Sequence, residues 1–497
     1  MLGKTRRVHF IGIGGIGMSG IAELLANLGY VVSGSDEKRS PVTDRLASLG
    51  VRVTAGHDAA HVGDAEVVVV SSAVRATNPE VREAARRQIP VIPRAEMLAE
   101  LMRLRYSIAV AGAHGKTTTT SMIALMLERA GLDPTAVIGG RLSAFGSNAR
   151  LGGGELMVAE ADESDRSFLK LFPTMAVITN IDHEHLENYG GFEDLQQAFV
   201  DFANKVPFYG GVVACADDPN LAAVLPRMTR RVITYGLDAP NVDLTATDIA
   251  LGPLTAEATV RRRARHARDA AQEYVALGRL TLNVPGRHNL QNALAAVAVG
   301  LELGVPFDRA ASGLHEFRGA ERRFEVHGES NGVLVVDDYG HHPTEIAAVL
   351  AAARSLNRRI VVAFQPHRFS RTAALMTAFG PALSGAAHVV LTDIYAASED
   401  PIPGVTVEAL ATAIRASVGV PVDVVPRLED VVPAIVRVAR SGDVVITLGA
   451  GSIGGLPQRL LPALKTGAAS RSGGNERSDR RPASGNDTAS GGTEGDV

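Results

Sequence analysis

Residues 107–121 read SIAVAGAHGKTTTTS: an apolar run passes straight into a glycine-rich turn and then into a helix. This handover leaves backbone N–H groups facing outward at a helix N-terminus, where they form a nest for anions. Lys116 and Thr117 open the helix and add what a nucleotide triphosphate needs, a cation for the β- and γ-phosphates and a hydroxyl for Mg²⁺. The loop is G-x-x-G-K-T. It departs from G-x-x-x-x-G-K-[ST] because Val110 stands five positions before Gly115. Only six of the 50 basic residues are lysines (Lys4, Lys38, Lys116, Lys170, Lys205 and Lys465), so a lysine inside this loop stands out.

The same handover occurs at the start of the chain, in RVHFIGIGGIGMSGIAELLANLG. Gly12, Gly14 and Gly17 fit G-x-G-x-x-G, and Asp36 follows where an acidic residue would bind a ribose hydroxyl. The geometry admits NAD, another nucleotide diphosphate, or a plain tight turn.

Short β-branched runs alternate with helix-length amphipathic segments over nearly the whole chain, which predicts an α/β protein with mainly parallel sheets. At 497 residues there is room for several domains. A helix entered through Pro93 and ending at Arg103 closes a first unit, giving a Rossmann-like domain over 1–105. The expected central domain, 106–322, contains an Ala-rich helix that ends at Gly304. A Rossmann-like third domain over 323–466 follows, and then a Gly/Ser-rich tail, 467–497, with almost nothing to bury and therefore expected to be disordered. The run Arg261–Ala271 reads as a solvated hairpin or loop.

A formal charge of −4, from 50 basic and 54 acidic residues, gives no global drive toward nucleic acid or an anionic membrane. With no Trp and 4% aromatic residues, stacking platforms for single strands are scarce. Cys215, the single cysteine, has no internal partner and reads as a buried hydrophobe. Glycines interrupt the first apolar run, no cleavage site follows, and no stretch reaches the roughly 18 apolar residues of a membrane span. The expectation is a cytoplasmic protein.

Other polar clusters sit at strand ends, where parallel sheets bind their ligands. VAEADESDRSFL offers Glu160, and TNIDHEHLENYG offers His185. Both are candidate ligands of a divalent ion, although His185 would equally serve as a helix cap. VVDDYGHHPTEI carries Asp338, Tyr339, His341 and His342, while VVAFQPHRFSRT carries His367, Arg368 and Arg371. Two arginines three apart can fork a carboxylate or simply be solvated. TLGAGSIGG, Thr447 to Gly455, reads as a structural glycine turn.

The strings GIGGIGMSGIAE, AGAHGKTTTT, AEADESDRSF, GRHNLQNALAA, ERRFE, DDYGHHPTE and QPHRFSRT, in this order, resemble the Mur ligase family, the ATP-dependent amide-forming enzymes of peptidoglycan synthesis. The resemblance runs from about Val8 to about Leu464. It implies three domains, binding a UDP-sugar, ATP and an amino acid in turn, with ATP and Mg²⁺ (or Mn²⁺) as cofactors. The implied reaction joins L-alanine to the lactyl carboxylate of UDP-N-acetylmuramate through an acyl phosphate.

By position, Gly112, Ala113, His114, Gly115, Lys116, Thr117 and Thr118 would hold phosphates, with Thr117, Glu160 and His185 serving the metal. His288 and Asn292 would meet the adenine, and Arg323 and Asp338 the nucleotide across the domain junction. Gly12, Gly14, Gly15, Ile16, Gly17, Met18, Ser19, Asp36 and Ser72 would bind the UDP-sugar, and Tyr339, His341, Arg368 and Arg371 the amino acid. Lys116, Glu160, His185 and His341 would be the catalytic set. Glu184 stands where the family usually has Asp. Three rival readings remain at this point: a ligase that attaches a murein tripeptide to the same sugar, a nicotinamide-dependent oxidoreductase, and a non-catalytic nucleotide-gated regulator.

Overall fold

The computed structural model describes residues 5–71, 74–142, 147–184, 186–264, 274–397 and 399–472. Ser72, His185, most of the 261–271 run and the tail beyond Ser472 lie outside these residues, as does the side chain of Ile16. The chain builds three α/β sheets of five, ten and six strands. The central strands of each sheet are parallel and largely apolar on both faces, because helices cover each side. Burying each Val, Ile or Leu of such a strand contributes about 1.5–3 kcal/mol.

In the first sheet the order is Arg52–Ala55, Val31–Asp36, Arg7–Ile11, Val67–Val70, Val91–Pro93, all parallel. Chain order reverses beside Arg7–Ile11, which leaves a crevice beyond the carboxyl ends of the strands, where Gly12 and Ser71 begin the next loops. The helix Arg94–Met102 closes the unit.

The central sheet places Tyr106–Ala111 between Met175–Ile178 and Leu156–Glu160, all parallel. Gly211–Cys215, Val232–Tyr235 and then a three-stranded extension, Leu244–Leu251, Ala256–Arg263 and Tyr274–Leu282, continue beyond Met175–Ile178. Thr135–Leu142 and Ser147–Arg150 complete the other edge. Arg261, Arg262 and Arg263 lie on a paired antiparallel strand, so the start of the basic run is one arm of a hairpin. Behind the sheet pack the helices Lys116–Arg129 and Arg287–Glu302, the latter filled by Leu290, Ala293, Leu294, Ala296 and Val297.

The third sheet runs Glu325–Ser330, Val333–Asp338, Asp443–Leu448, Arg359–Phe364, His388–Leu391, Val422–Val424, with only the first pair antiparallel. Its last helix, Leu456–Ser472, continues past Thr466, where the composition suggested that order would end. Among the described residues no helix is long and apolar enough to cross a membrane.

Candidate active site

Three neighbouring central strands end side by side, and the loops that leave them share one space. Gly112 (φ +137°) and Gly115 (φ +81°) shape the phosphate loop. A Cβ at Gly112 would collide with Thr179 Oγ1, so the close approach of these two strand ends requires glycine. Asn180 Oδ1 accepts from His114 N (2.8 Å), and Thr179 Oγ1 donates to His114 O (2.6 Å). The loop is therefore held from the adjacent strand.

The Lys116 ammonium donates to the carbonyls of Gly112 (2.6 Å) and Ala113 (3.1 Å) and to Glu163 Oε1 (2.9 Å). Burial alone would depress its pKa, but Glu163, Glu160 and Asp162 outweigh that effect and hold it above the ordinary lysine value. Burial pushes the Glu163 carboxyl up, to about 7, and Lys116 opposes the shift. Thr117 Oγ1 donates to Glu160 Oε2 (2.9 Å), which also accepts from Gly139 N (2.9 Å). A hydroxyl and a carboxylate side by side are hard oxygen donors that suit Mg²⁺.

His114 Nε2 donates to Asp182 Oδ2 (2.8 Å), and its Nδ1 lies 3.6 Å from Glu345 of the C-terminal domain. Burial works against the imidazolium, but Asp182 and Glu345 raise its pKa to about 10. Thr344 Oγ1 also donates to Asp182 Oδ2 (3.0 Å), so the C-terminal domain rests directly on the central strand ends.

A cavity of about 470 Å³ lies at this junction and is lined from both domains by His114, Gly115, Thr118, His288, Asn292, Arg323 and Asp338. All seven are residues that the sequence assigns to the triphosphate, to the adenine or to the domain junction. Burial, with the charge of Arg323 adding to it, holds His288 neutral with a pKa near 4. Burial lifts Asp338 to about 6 against the opposing charge of Arg323. Asp338 accepts from Phe324 N and Gly340 N (2.7 Å each), which fixes the start of the following loop. Cys215 is buried as expected and also lines this cavity.

Arg322 and Arg323 each stand 5.2 Å from the Tyr339 ring. His341 Nδ1 donates to Tyr339 O (3.0 Å), which leaves Nε2 as the acceptor nitrogen. Burial lowers its pKa to about 4. Arg371 reaches His367 Nδ1 at 3.3 Å, and Arg368 lies 3.9 Å from Glu399. A second cavity, of about 120 Å³, brings Arg368 and Arg371 together with Glu184 and His342. Tyr339 and His341 are not in its lining, so the four residues expected at the amino acid divide into two neighbouring pairs.

The first glycine loop lies apart from this cluster, on the N-terminal sheet. Gly12 (φ +77°) and Ile13 both donate to Ser35 O, and Gly14 N donates to Asp36 Oδ2 (2.8 Å). Asp36 is thus a brace of the loop itself. A Cβ at Gly17 would lie 3.0 Å from Arg94 Nη1, and Arg94 in turn reaches Asp162 of the central domain at 3.4 Å. The Met18 side chain points into the core, and Ser19 is buried beside Asn148, which donates to it. Gly15 caps the helix N-terminus by position.

Three sequence patterns match this chain in succession: "Mur ligase family, catalytic domain" over residues 7–106, "Mur ligase middle domain" over 110–300 and "Mur ligase, glutamate ligase domain" over 322–451. The chain belongs to the Mur ligase family. Two relatives of this Mur ligase, the UDP-N-acetylmuramate–L-alanine ligases of Geobacter sp. (strain M21) and Solibacter usitatus, are each 53% identical to it. They cover 94% of this chain and 99% and 97% of their own lengths. Among solved structures, UDP-N-acetylmuramate-alanine ligase of Thermotoga maritima superposes with a TM-score of 0.78 at 29% identity, covering 93% of this chain and 99% of its own. A murein peptide ligase of Psychrobacter arcticus gives 0.67 at 25% identity over 92% and 98%.

Sequence reasoning missed several residues that build this Mur ligase site. Glu163 holds Lys116, Asn180 and Thr179 hold the loop, and Glu345 touches His114, Arg323 and His341 at once. Glu163 sits in the quoted EADESD string and could have been flagged as a counter-charge. Glu345 reads in sequence as the third residue of a helix whose carboxylate caps the backbone at His341 and His342, and nothing local reveals its second role.

Proposed function

We propose that this Mur ligase uses ATP to join L-alanine to the lactyl carboxylate of UDP-N-acetylmuramate, yielding UDP-N-acetylmuramoyl-L-alanine, ADP and phosphate. The observation that carries the reading is the junction cavity, lined from both domains by the ATP loop and the polar groups of the third sheet. Near-full-length likeness to L-alanine ligases supports the choice of amino acid.

A carboxylate does not acylate an amine at neutral pH, so it must first become a better acyl donor. The lactyl carboxylate attacks the γ-phosphorus of ATP, and ADP leaves. The free amine of alanine then attacks the acyl phosphate carbon through a tetrahedral adduct, and phosphate departs. Catalysis of such a transfer is mostly positioning and electrostatics. Lys116, already in the loop, moves from Glu163 and the loop carbonyls onto phosphate oxygens. The Gly112–Gly115 backbone cradles the chain of phosphates.

Thr117 and Glu160 would hold Mg²⁺, with His185 as a third ligand; when bound, the ion neutralises phosphate charge. His288 and Asn292 receive the adenine. Arg323 and Asp338 carry the contact across to the C-terminal domain. Arg368 and Arg371 bind the alanine carboxylate, while His341, neutral with its Nε2 lone pair exposed, orients the amine and accepts its proton. The Gly12–Ser19 loop takes the uridine diphosphate against its helix N-terminus, and Ser72 is assigned to the same ligand. The units 1–105, 106–322 and 323–466 serve sugar, ATP and amino acid in that order. ATP as a substrate assigns the reaction to the cytoplasm.

The test is an ADP-release assay that omits ATP, UDP-N-acetylmuramate and L-alanine in turn, then replaces alanine with a murein tripeptide. ADP should form only with all three substrates, and alanine should outcompete the tripeptide. Turnover that prefers the tripeptide, or persists without the sugar, would overturn the proposal.

A further inference from the structure

We propose that His114, Glu184 and His342 form a binding site for a transition-metal ion of the Zn²⁺ class, separate from the Mg²⁺ ligands Thr117 and Glu160, that pins the C-terminal domain onto the ATP loop. One donor atom from each of the three side chains lies within 4.8 Å of the other two. The residues come from different segments: the phosphate loop, the segment after Met175–Ile178, and the N-cap of the helix Pro343–Arg354. The His342 and Glu184 side chains are 6% and 7% exposed, and that of His114 is 15% exposed. His342 Nε2 is buried without a hydrogen-bond partner, and a buried imidazole nitrogen left in this state is costly unless something binds it; the Nδ1 of the same ring lies 3.7 Å from Glu184 Oε1.

The donor set selects the ion. Two imidazoles and one carboxylate suit Zn²⁺ or Co²⁺, whereas Mg²⁺ favours oxygen ligands throughout. His114 has the support that metal-bound histidines usually need, because its Nε2 donates to Asp182; to coordinate, its Nδ1 would give up to solvent the proton that it now presents to Glu345 at 3.6 Å. Asp182 and Glu345 add negative charge around the three. Bonds of about 2 Å place tetrahedral ligand atoms about 3.3 Å apart, inside the 4.8 Å that bounds the three donor atoms, and the ligands come from both sides of the domain seam. The ion would therefore favour the closed arrangement of the two domains.

The test uses the full chain, stripped with chelator and free of nucleotide, titrated with Zn²⁺ by calorimetry and with Co²⁺ by visible absorption. His342→Asn removes the imidazole but keeps a good helix N-cap, and Glu184→Gln is the second variant; circular dichroism checks that both fold. One site per chain is expected, with resolved Co²⁺ bands, and each folded variant should lose about tenfold or more in affinity. Thr117→Val should bind Zn²⁺ as the wild type does. Equal Zn²⁺ affinity in the wild type, His342→Asn and Glu184→Gln would overturn the proposal, and so would loss of the site in Thr117→Val, because the ion would then belong to the Mg²⁺ ligands.

Discussion

The Lys116 ammonium donates to the Glu163 carboxylate at 2.9 Å, at the foot of the loop proposed to hold the triphosphate. A pair this enclosed constrains both partners, since removing one leaves the other charged in a dry pocket. Lys116→Ala should lower kcat by about 10²–10³-fold, the range seen on losing one preorganised donor. Wild-type turnover by the folded variant would detach the loop from catalysis.

The same pair predicts a coupling in stability. Lys116→Met and Glu163→Gln should each shift urea unfolding to lower concentration, and the double variant should lose less than the two losses combined. Additive losses would mean that the two side chains do not sense each other.

Thr117 and Glu160 share a hydrogen bond at 2.9 Å, with Gly139 N anchoring the carboxylate. Glu160→Ala should raise the Mg²⁺ concentration needed for half-maximal turnover, because a lost ligand weakens ion binding directly. His185→Ala should do the same. An unchanged Mg²⁺ titration in both variants would remove them from the metal.

Arg368 and Arg371 face the small cavity that also holds Glu184 and His342. Charge-assisted hydrogen bonds contribute about 1.5–3 kcal/mol, so Arg371→Ala or Arg368→Ala should raise the alanine KM by roughly ten- to a hundredfold. ATP affinity should change far less. Equal losses in both constants would place these arginines in the fold rather than at the amino acid.

His288 is held neutral by burial, with its pKa lowered from 6.5 to about 4. Between those values the unfolded chain binds the proton and the folded chain does not, so stability rises with pH across the window and is lost as pH falls through it. Thermal unfolding of His288→Gln should therefore show a smaller loss of Tm than the wild type between pH 6.5 and pH 4. Parallel curves would contradict the assignment.

Much of this site was legible because its loops follow apolar strands. Residues such as Ala109, Val177 and Val336 announce parallel strands covered on both faces, and their carboxyl ends then carry Gly112, Thr179 and Asp338. The seam between domains was not legible. Thr344 meets Asp182, and Glu345 meets His114, across long stretches of chain that no local periodicity connects. Asp36 shows a second limit: the spacing identified an acidic residue beside a glycine loop, but only the structure reveals that its carboxylate is engaged by Gly14 N.

The central claim is that the sugar's carboxylate is activated by phosphoryl transfer before the amine attacks. UDP-N-acetylmuramate labelled with ¹⁸O in both lactyl carboxylate oxygens tests it directly. Turnover with ATP and L-alanine should deliver one ¹⁸O to the released phosphate and leave the other in the amide carbonyl. Phosphate that carries no label while amide product forms would contradict the account.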